Sequence, residues 1–198
     1  MLLPAVCPAC GTPGAAPCDS CRSLIRLAGP GVPPPGVDSF AAVMLYEGTG
    51  RELVARLKYR NARSTVSWLA DGMAALAPSA GVDVVTWVPT TPSRRRERGF
   101  DQGRLLAKAV ATRLQRPCRP LLRRGEGPAQ TGRSRVERLQ GPELSLRSRR
   151  CPSAGVLVVD DVVTTGATLA AASAVLRAAG STSVHAVAAA QRSRRSPT

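Results

Sequence analysis

The sequence predicts an α/β protein: a mostly parallel sheet with flanking helices, preceded by a small zinc-ribbon-like element. Three observations carry this reading. Short β-branched apolar runs alternate with amphipathic stretches of helical period, the pattern of βαβ units that build a parallel sheet. Four of the six cysteines stand near the N-terminus as two C-x2-C pairs. The apolar run Val156–Val159 leads straight into two aspartates and a Thr/Gly turn that opens a helical segment.

A chain of 198 residues suits one medium domain plus a small appendage. Hydrophobic residues make up 43% and charged residues 21%, ordinary for a globular protein, so a wholly disordered chain is excluded. No apolar run approaches the ~18 residues of a membrane span. Met1–Val6 runs into a cysteine and a proline too soon for a signal-peptide core. The expected location is the cytoplasm, with no membrane insertion. There are 28 Lys and Arg against 13 Asp and Glu, a net charge of +15. Such a surface suits polyanions, either phosphorylated metabolites or nucleic acid. Phe, Tyr and Trp number two each, few for a single-strand binder that works by stacking, so composition leans toward phosphate chemistry.

The elements follow in chain order. Residues 1–30 form the four-cysteine element. Residues 31–36 close a Pro/Gly stretch, 29–36, that no helix or interior strand tolerates, and serve as a linker. The main domain is expected over 37–198. Ser39–Leu45 is short and apolar, hence a strand. Glu52–Arg60 carries Leu53, Val54 and Leu57 at helical spacing, and Ser64–Leu76 continues as a helix. Asp83–Val88 is a β-branched run ending at Pro89, a buried strand. Asp101–Leu114 places Leu105, Leu106, Ala109, Val110 and Leu114 on one helical face. Residues 117–150 lack periodicity and read as a long loop with a short strand around Glu143–Leu146. Val156–Val159 is a second buried strand, Ala167–Ala179 a helix closed by Gly180, and Val184–Ala189 a third strand. Ligands of such sheets sit beyond the carboxyl ends of strands, where Pro89–Gln102 and Asp160–Thr168 fall.

The run Val156–Thr168 reads as a site for a ribose 5-phosphate. Backbone N–H groups at a helix N-terminus bind phosphate with help from the helix dipole. Gly166 lets the backbone approach closely, Ala167 opens the helix, and the hydroxyls of Thr164, Thr165 and Thr168 add donors. Asp160 and Asp161 can accept hydrogen bonds from a vicinal diol, or help hold a hydrated Mg²⁺. The plainer alternative is a buried strand followed by a Thr-capped helix, in which paired aspartates are costly without a partner.

Cys7-x2-Cys10 and Cys18-x2-Cys21 can supply four thiolates to a structural Zn²⁺. So short a segment has almost no core of its own, and the metal would largely fold it. Two disulfides, a redox switch or incidental thiols are the other readings, which a reducing compartment disfavours. Cys118 and Cys151 lack such spacing.

The thirteen residues Val156–Thr168 resemble the phosphoribosyl-pyrophosphate signature of type I phosphoribosyltransferases. Together with the cysteine pairs they resemble the ComF family, which joins a four-cysteine zinc element to such a domain. Tyr46-Glu47-Gly48, Leu57-Lys58-Tyr59, Val88-Pro89, Arg98-Gly99-Phe100-Asp101-Gln102, Gln130 and Arg138 extend the resemblance over nearly the full length. Asp101 departs from it, since Asn is usual there, and so does Gly141. The resemblance implies Mg²⁺-dependent binding of phosphoribosyl pyrophosphate and phosphoribosyl transfer to a nitrogen nucleophile with release of pyrophosphate. In it Asp160, Asp161 and Arg98 are catalytic. Thr164–Thr168 grip the 5-phosphate and Arg94, Arg95 and Arg96 take the pyrophosphate. A loop over Arg123–Arg138 covers the site. The same resemblance points to DNA uptake in competent bacteria. The alternative function is therefore a non-catalytic ribose-phosphate sensor or a scaffold for single-stranded DNA or a helicase partner.

Residues 94–150 hold 17 of the 28 basic residues and five acidic ones. Arg suits a multiply charged leaving group through its fixed fork of donors, although most of these side chains read as solvated surface. His185, the one histidine, lies in an apolar strand and reads as packed structure. Lys58 ends a helix and reads as a cap of its carbonyls rather than an anion ligand. Trp68 and Trp87 read as core.

Overall fold

A computed structural model describes residues 6–59, 63–125, 142–147 and 155–193. After a short helix α1 (Asp19–Ser23) come the strands β1 (Leu27–Gly31) and β2 (Ser39–Leu45). Helices α2 (Gly48–Tyr59) and α3 (Val66–Leu76) lead to β3 (Val84–Trp87), α4 (Pro92–Arg98) and α5 (Gln102–Leu114). A two-stranded ribbon, β4 (Leu122–Arg124) with β5 (Leu144–Leu146), precedes β6 (Gly155–Val163), α6 (Ala167–Ala178) and β7 (Ser183–Gln191).

The main sheet has the order β1–β2–β7–β6–β3. β1 is antiparallel to β2, and the other pairings are parallel, so the fold is the expected mostly parallel sheet with flanking helices. Successive residues of a strand point to opposite faces. Leu157 and Val159 of β6, with Val43 and Val187, pack under α2, α3 and α5 through Leu53, Leu57, Leu69 and Leu106. Val156 and Val158, with Ala42, Val184 and Ala186, pack under α6 and β4 through Leu169, Leu176 and Leu122. Burial on both faces is why the central strands read as unbroken apolar runs. Gly155 opens β6 where no side chain fits: a Cβ there would lie 1.8 Å from the Gly81 carbonyl oxygen.

The structure departs from the sequence reading in four places. β6 continues to Val163 because β7 goes on pairing with it, Asp160 opposite Ala188 and Val162 opposite Ala190. The two aspartates are thus strand residues, beyond the point where β3 stops pairing at Val159. β1 spans the expected boundary at residues 30 and 31; Pro30 is tolerated because β1 is an edge strand. The linker residues that follow dock on α6, where the Gly36 carbonyl accepts from the Ser173 hydroxyl and, at 3.3 Å, from Arg177 Nε. The stretch expected as a loop after β3 contains α4, and the long loop contains β4 as well as the expected short strand. Gln130, Arg138, Gly141 and Cys151 lie outside the described residues.

His185 sits at the amino end of the sheet, with Nδ1 2.8 Å from Ser39 Oγ. That is the end away from the aspartates. Trp68 and Trp87 pack against the core, as the sequence suggested.

Candidate functional site

At the N-terminus, the Sγ atoms of Cys7, Cys10, Cys18 and Cys21 all lie within 4.8 Å of one another, and Cys10 and Cys18 are 3.5 Å apart. Thiolates around a tetrahedral metal with ~2.3 Å bonds stand about 3.8 Å apart, so the group can bind a metal. Burial, reinforced by the neighbouring thiols, pushes Cys21 up to about 12. Four thiols this close cannot all ionise unless a cation offsets their repulsion.

The second site lies at the carboxyl ends of β3 and β6. Asp161 is buried, at 8% exposure. Its Oδ1 is 2.9 Å from Lys58 Nζ, and its Oδ2 accepts from Gln102 Nε2 at 2.8 Å. Asp161 N–H donates to Asp160 Oδ1 at 2.8 Å, which leaves the other Asp160 oxygen free of that bond. Burial, then the adjacent Asp161 carboxylate, raises Asp160 to about 7; the Asp161 N–H, Lys58 and Arg124 pull the other way. Two carboxylates, one paired and one poised to titrate near neutrality, mark this as a functional-site candidate.

These residues line a cavity of about 250 Å³ together with Pro89, Thr90, Arg94, Arg98, Arg124 and Thr168. Helix α4 sets the arginines. Thr91 caps it by accepting from Arg94 N–H at 3.3 Å, Pro92 fills its first position, and Gly99 ends it at φ +75°. Arg94 and Arg98, one turn apart, share one side of the helix and line this cavity. Arg95 and Arg96 do not: they line a neighbouring cavity on the other side. Three consecutive residues of a helix cannot face one way, so the structure divides the expected arginine set.

The turn Thr164–Thr168 enters α6 through Gly166 at φ +81°, a conformation other residues rarely adopt. A Cβ at Gly166 would lie 2.8 Å from Pro34 Cγ, so the linker as well as the turn requires glycine. Thr165 Oγ1 accepts from Ala167 N–H at 3.3 Å, and the first turn of α6 holds no acidic residue. Thr168 faces the aspartate cavity. Thr164, Thr165 and Gly166 line a second one of about 230 Å³, bounded by Pro34, Phe40 and Arg192. The turn therefore stands between two openings.

Lys58 corrects the sequence reading. It does not simply cap α2, because its amine reaches across to Asp161. Nothing local signals this, since the partners are 103 positions apart (161 − 58). Gln102 also acquires a role, holding Asp161 from the first position of α5. The surroundings of Asp101 call for two accepting oxygens. Its carboxylate faces three donors: Trp87 Nε1 at 3.3 Å, Thr90 N–H at 3.4 Å and Arg104 N–H at 3.2 Å. An Asn amide would turn an NH2 toward one of them.

Comparison with known proteins bears on residues 101–197, which match the phosphoribosyl transferase domain family. The match covers 97 of 198 residues, just under half. No curated protein matches the chain. Among solved structures, the allosteric regulatory enzyme of purine biosynthesis is 26% identical at a TM-score of 0.46, over 65% of this chain and 26% of that one. Glutamine phosphoribosylpyrophosphate amidotransferase from B. subtilis is 27% identical at a TM-score of 0.44, over the same 65% and 26%. The chain thus spans about a quarter of either enzyme. Adenine phosphoribosyl transferase from Trypanosoma brucei is 16% identical at a TM-score of 0.38, over 85% of this chain and 65% of that one. The segment that supplies Asp160, Asp161, the Thr164–Thr168 turn and α6 is the part of the chain similar to the phosphoribosyl transferase domain family.

Proposed function

We propose that the protein binds phosphoribosyl pyrophosphate and transfers the phosphoribosyl group to a nitrogen nucleophile, releasing pyrophosphate. One observation carries the reading: Asp160, Asp161, Thr168, Arg94 and Arg98 line a single cavity beside an α6 N-terminus free of acidic residues. In this reading the Asp160 and Asp161 carboxylates accept from the ribose diol. The turn and the first N–H groups of α6 hold the 5-phosphate. Arg94 and Arg98 take the pyrophosphate, whose charge grows as the bond from C1 to oxygen lengthens. The C1–O bond breaks with oxocarbenium character at C1, pyrophosphate leaves with the electron pair, and the new C1–N bond forms. The acceptor's N–H proton passes to solvent. Most of the acceleration then comes from positioning and electrostatics.

The donor set fits Mg²⁺. That ion takes one or two carboxylates plus substrate phosphates and keeps several waters. Asp160 has an oxygen to offer, while both Asp161 oxygens are engaged by Lys58 and Gln102. Asp160 is therefore the residue that would hold it, and the ion would supply charge neutralisation at the pyrophosphate. At the N-terminus the four cysteines would hold a structural Zn²⁺, completing the likeness to the ComF family, in an element that ends before β1 joins the main sheet.

The test is calorimetric binding of phosphoribosyl pyrophosphate with Mg²⁺, comparing wild type with Asp160→Asn and Thr168→Val, followed by a pyrophosphate-release screen over amines and nucleobases. Binding that weakens in both variants, with release for some acceptor, is expected. Binding without release under any acceptor would favour the sensor or single-stranded DNA scaffold of DNA uptake. No binding by folded, zinc-loaded protein would remove the transferase reading.

A further inference from the structure

A cavity of about 710 Å³ opens on the other side of α4, sharing only the Pro89–Thr90 wall with the aspartate cavity. Trp87, Phe100, Leu105 and Leu122 give it an apolar floor. Arg95, Arg96, Arg104, Lys108 and Arg147, all exposed, line it as well. Among the described residues Asp101 is the one acid that lines it, and its carboxylate is taken up by Trp87 and by the N–H groups of Thr90 and Arg104. Among the described residues none of the five cations forms an ion pair.

The fold accounts for only part of this charge. Arg95 and Arg96 lie in the last turn of α4, where the helix dipole favours cations. Arg104 lies in the first turn of α5, where the dipole opposes it, and that turn has no acidic residue. Lys108 follows at i+4, a like-charge spacing that destabilises a helix. Placing these two beside three more cations in one concavity concentrates positive potential, and a bound anion would relieve it. The volume lies within the ~300–1,000 Å³ of small-molecule sites. Aromatic faces on the floor suit a planar ring, and guanidinium forks suit phosphate.

We propose that this cavity is a second ligand site, independent of the transferase reading, for a small phosphorylated aromatic compound of the nucleoside-phosphate class. The ring lies on the Trp87–Phe100 floor and the phosphate lies on the Arg104–Lys108 side. Trp87 supplies the readout, since Trp68, the other tryptophan, packs against the core beneath α3.

The experiment titrates the full chain with adenosine monophosphate and follows tryptophan fluorescence. Ribose 5-phosphate, pyrophosphate and a single-stranded 12-mer serve as comparison ligands. Saturable quenching by the nucleotide is expected, with no quenching by ribose 5-phosphate or pyrophosphate. Arg104→Ser/Lys108→Ser should weaken it at least about tenfold, as loss of charged hydrogen bonds predicts. That variant relieves repulsion in α5, so its urea midpoint should not fall, and its binding of phosphoribosyl pyrophosphate should stay as in wild type. Three results would each overturn the proposal. The first is nucleotide binding that Asp160→Asn abolishes and Arg104→Ser/Lys108→Ser leaves intact, which would put the nucleotide in the aspartate cavity. The second is quenching by ribose 5-phosphate with equal affinity and the same loss in Arg104→Ser/Lys108→Ser, which would remove the ring from recognition. The third is binding of the 12-mer with none of the mononucleotide, which would make the rim a track for an extended polyanion.

Discussion

The pair formed by Lys58 and Asp161 offers the sharpest test of how the aspartate cavity is held together. Nζ and Oδ1 are 2.9 Å apart, and the two side chains are only 16% and 11% exposed, so water and salt screen them little. Removing one member of such a pair strands a buried charge, at a cost of ~3–5 kcal/mol. The Gln102 bond to Asp161 survives the loss of Lys58, and the cavity admits water, so the lower end applies. Lys58→Met should therefore lower the unfolding free energy by about 3 kcal/mol. At ~2–4 °C per kcal/mol for a domain of this size, the melting temperature should fall by roughly 6–12 °C. Urea unfolding of the zinc-loaded full chain at pH 8 measures it. Asp161→Leu alone should cost a similar amount, because it strands the ammonium instead. The double variant Lys58→Met/Asp161→Leu removes both charges and should lose much less than the sum of the singles. A loss below about 1 kcal/mol for Lys58→Met, with additive singles, would contradict a buried pair and make Lys58 a solvated helix end.

Two other predictions follow from the same geometry. Asp160 titrates near 7 in the folded chain, through burial and then the Asp161 charge, against an ordinary value of 3.8. The folded state thus binds this proton more tightly than the unfolded one. Stability should fall as pH rises from about 4 to 7, by up to ~4 kcal/mol, and stay low above that. Asp160→Asn should flatten this slope when urea midpoints are compared across pH 4–8; parallel profiles would contradict the assignment. For the cysteine group, elemental analysis should find one zinc per chain. Cys7→Ser should release it and expose residues 6–26 to protease, while the far-ultraviolet signal of the sheet persists. A folded, metal-free chain with four freely titrating thiols would contradict the zinc centre.

Much of the fold was legible because its central strands are buried on both faces. The apolar run Ser39–Leu45 coincides with β2, and the periodic stretches match α3, α5, α6 and β7 to within a few positions. Helix α4 went unread because Pro92–Arg98 has no apolar residue to give it a period. Its end signals, Thr91-Pro92 and Gly99, were nevertheless in the sequence. The end of β6 is not legible locally, because the apolar run stops at Val159 while the strand does not. Pairing with β7 carries the strand through both aspartates. Asp160 to Thr168 form one unbroken motif, so that stretch of the candidate site stands together in the sequence itself.

Which chemical groups the protein owns is readable along the chain: four thiols at chelating spacing, an aspartate pair, and a Thr/Gly turn opening a helix. Local spacing suffices there, because neighbours along the chain are neighbours in space. Which distant groups join them depends on how the domain packs. Packing brings Lys58 and Gln102 to Asp161 and sets Arg94 and Arg98 in the lining of the aspartate cavity. It sets Arg95 and Arg96 in the lining of a different cavity. The period of α4 sorts those arginines, and the parallel order of β3, β6 and β7 carries residues far apart in sequence to one edge of the sheet. Both follow from backbone hydrogen bonding across the whole domain, which no short window of sequence contains.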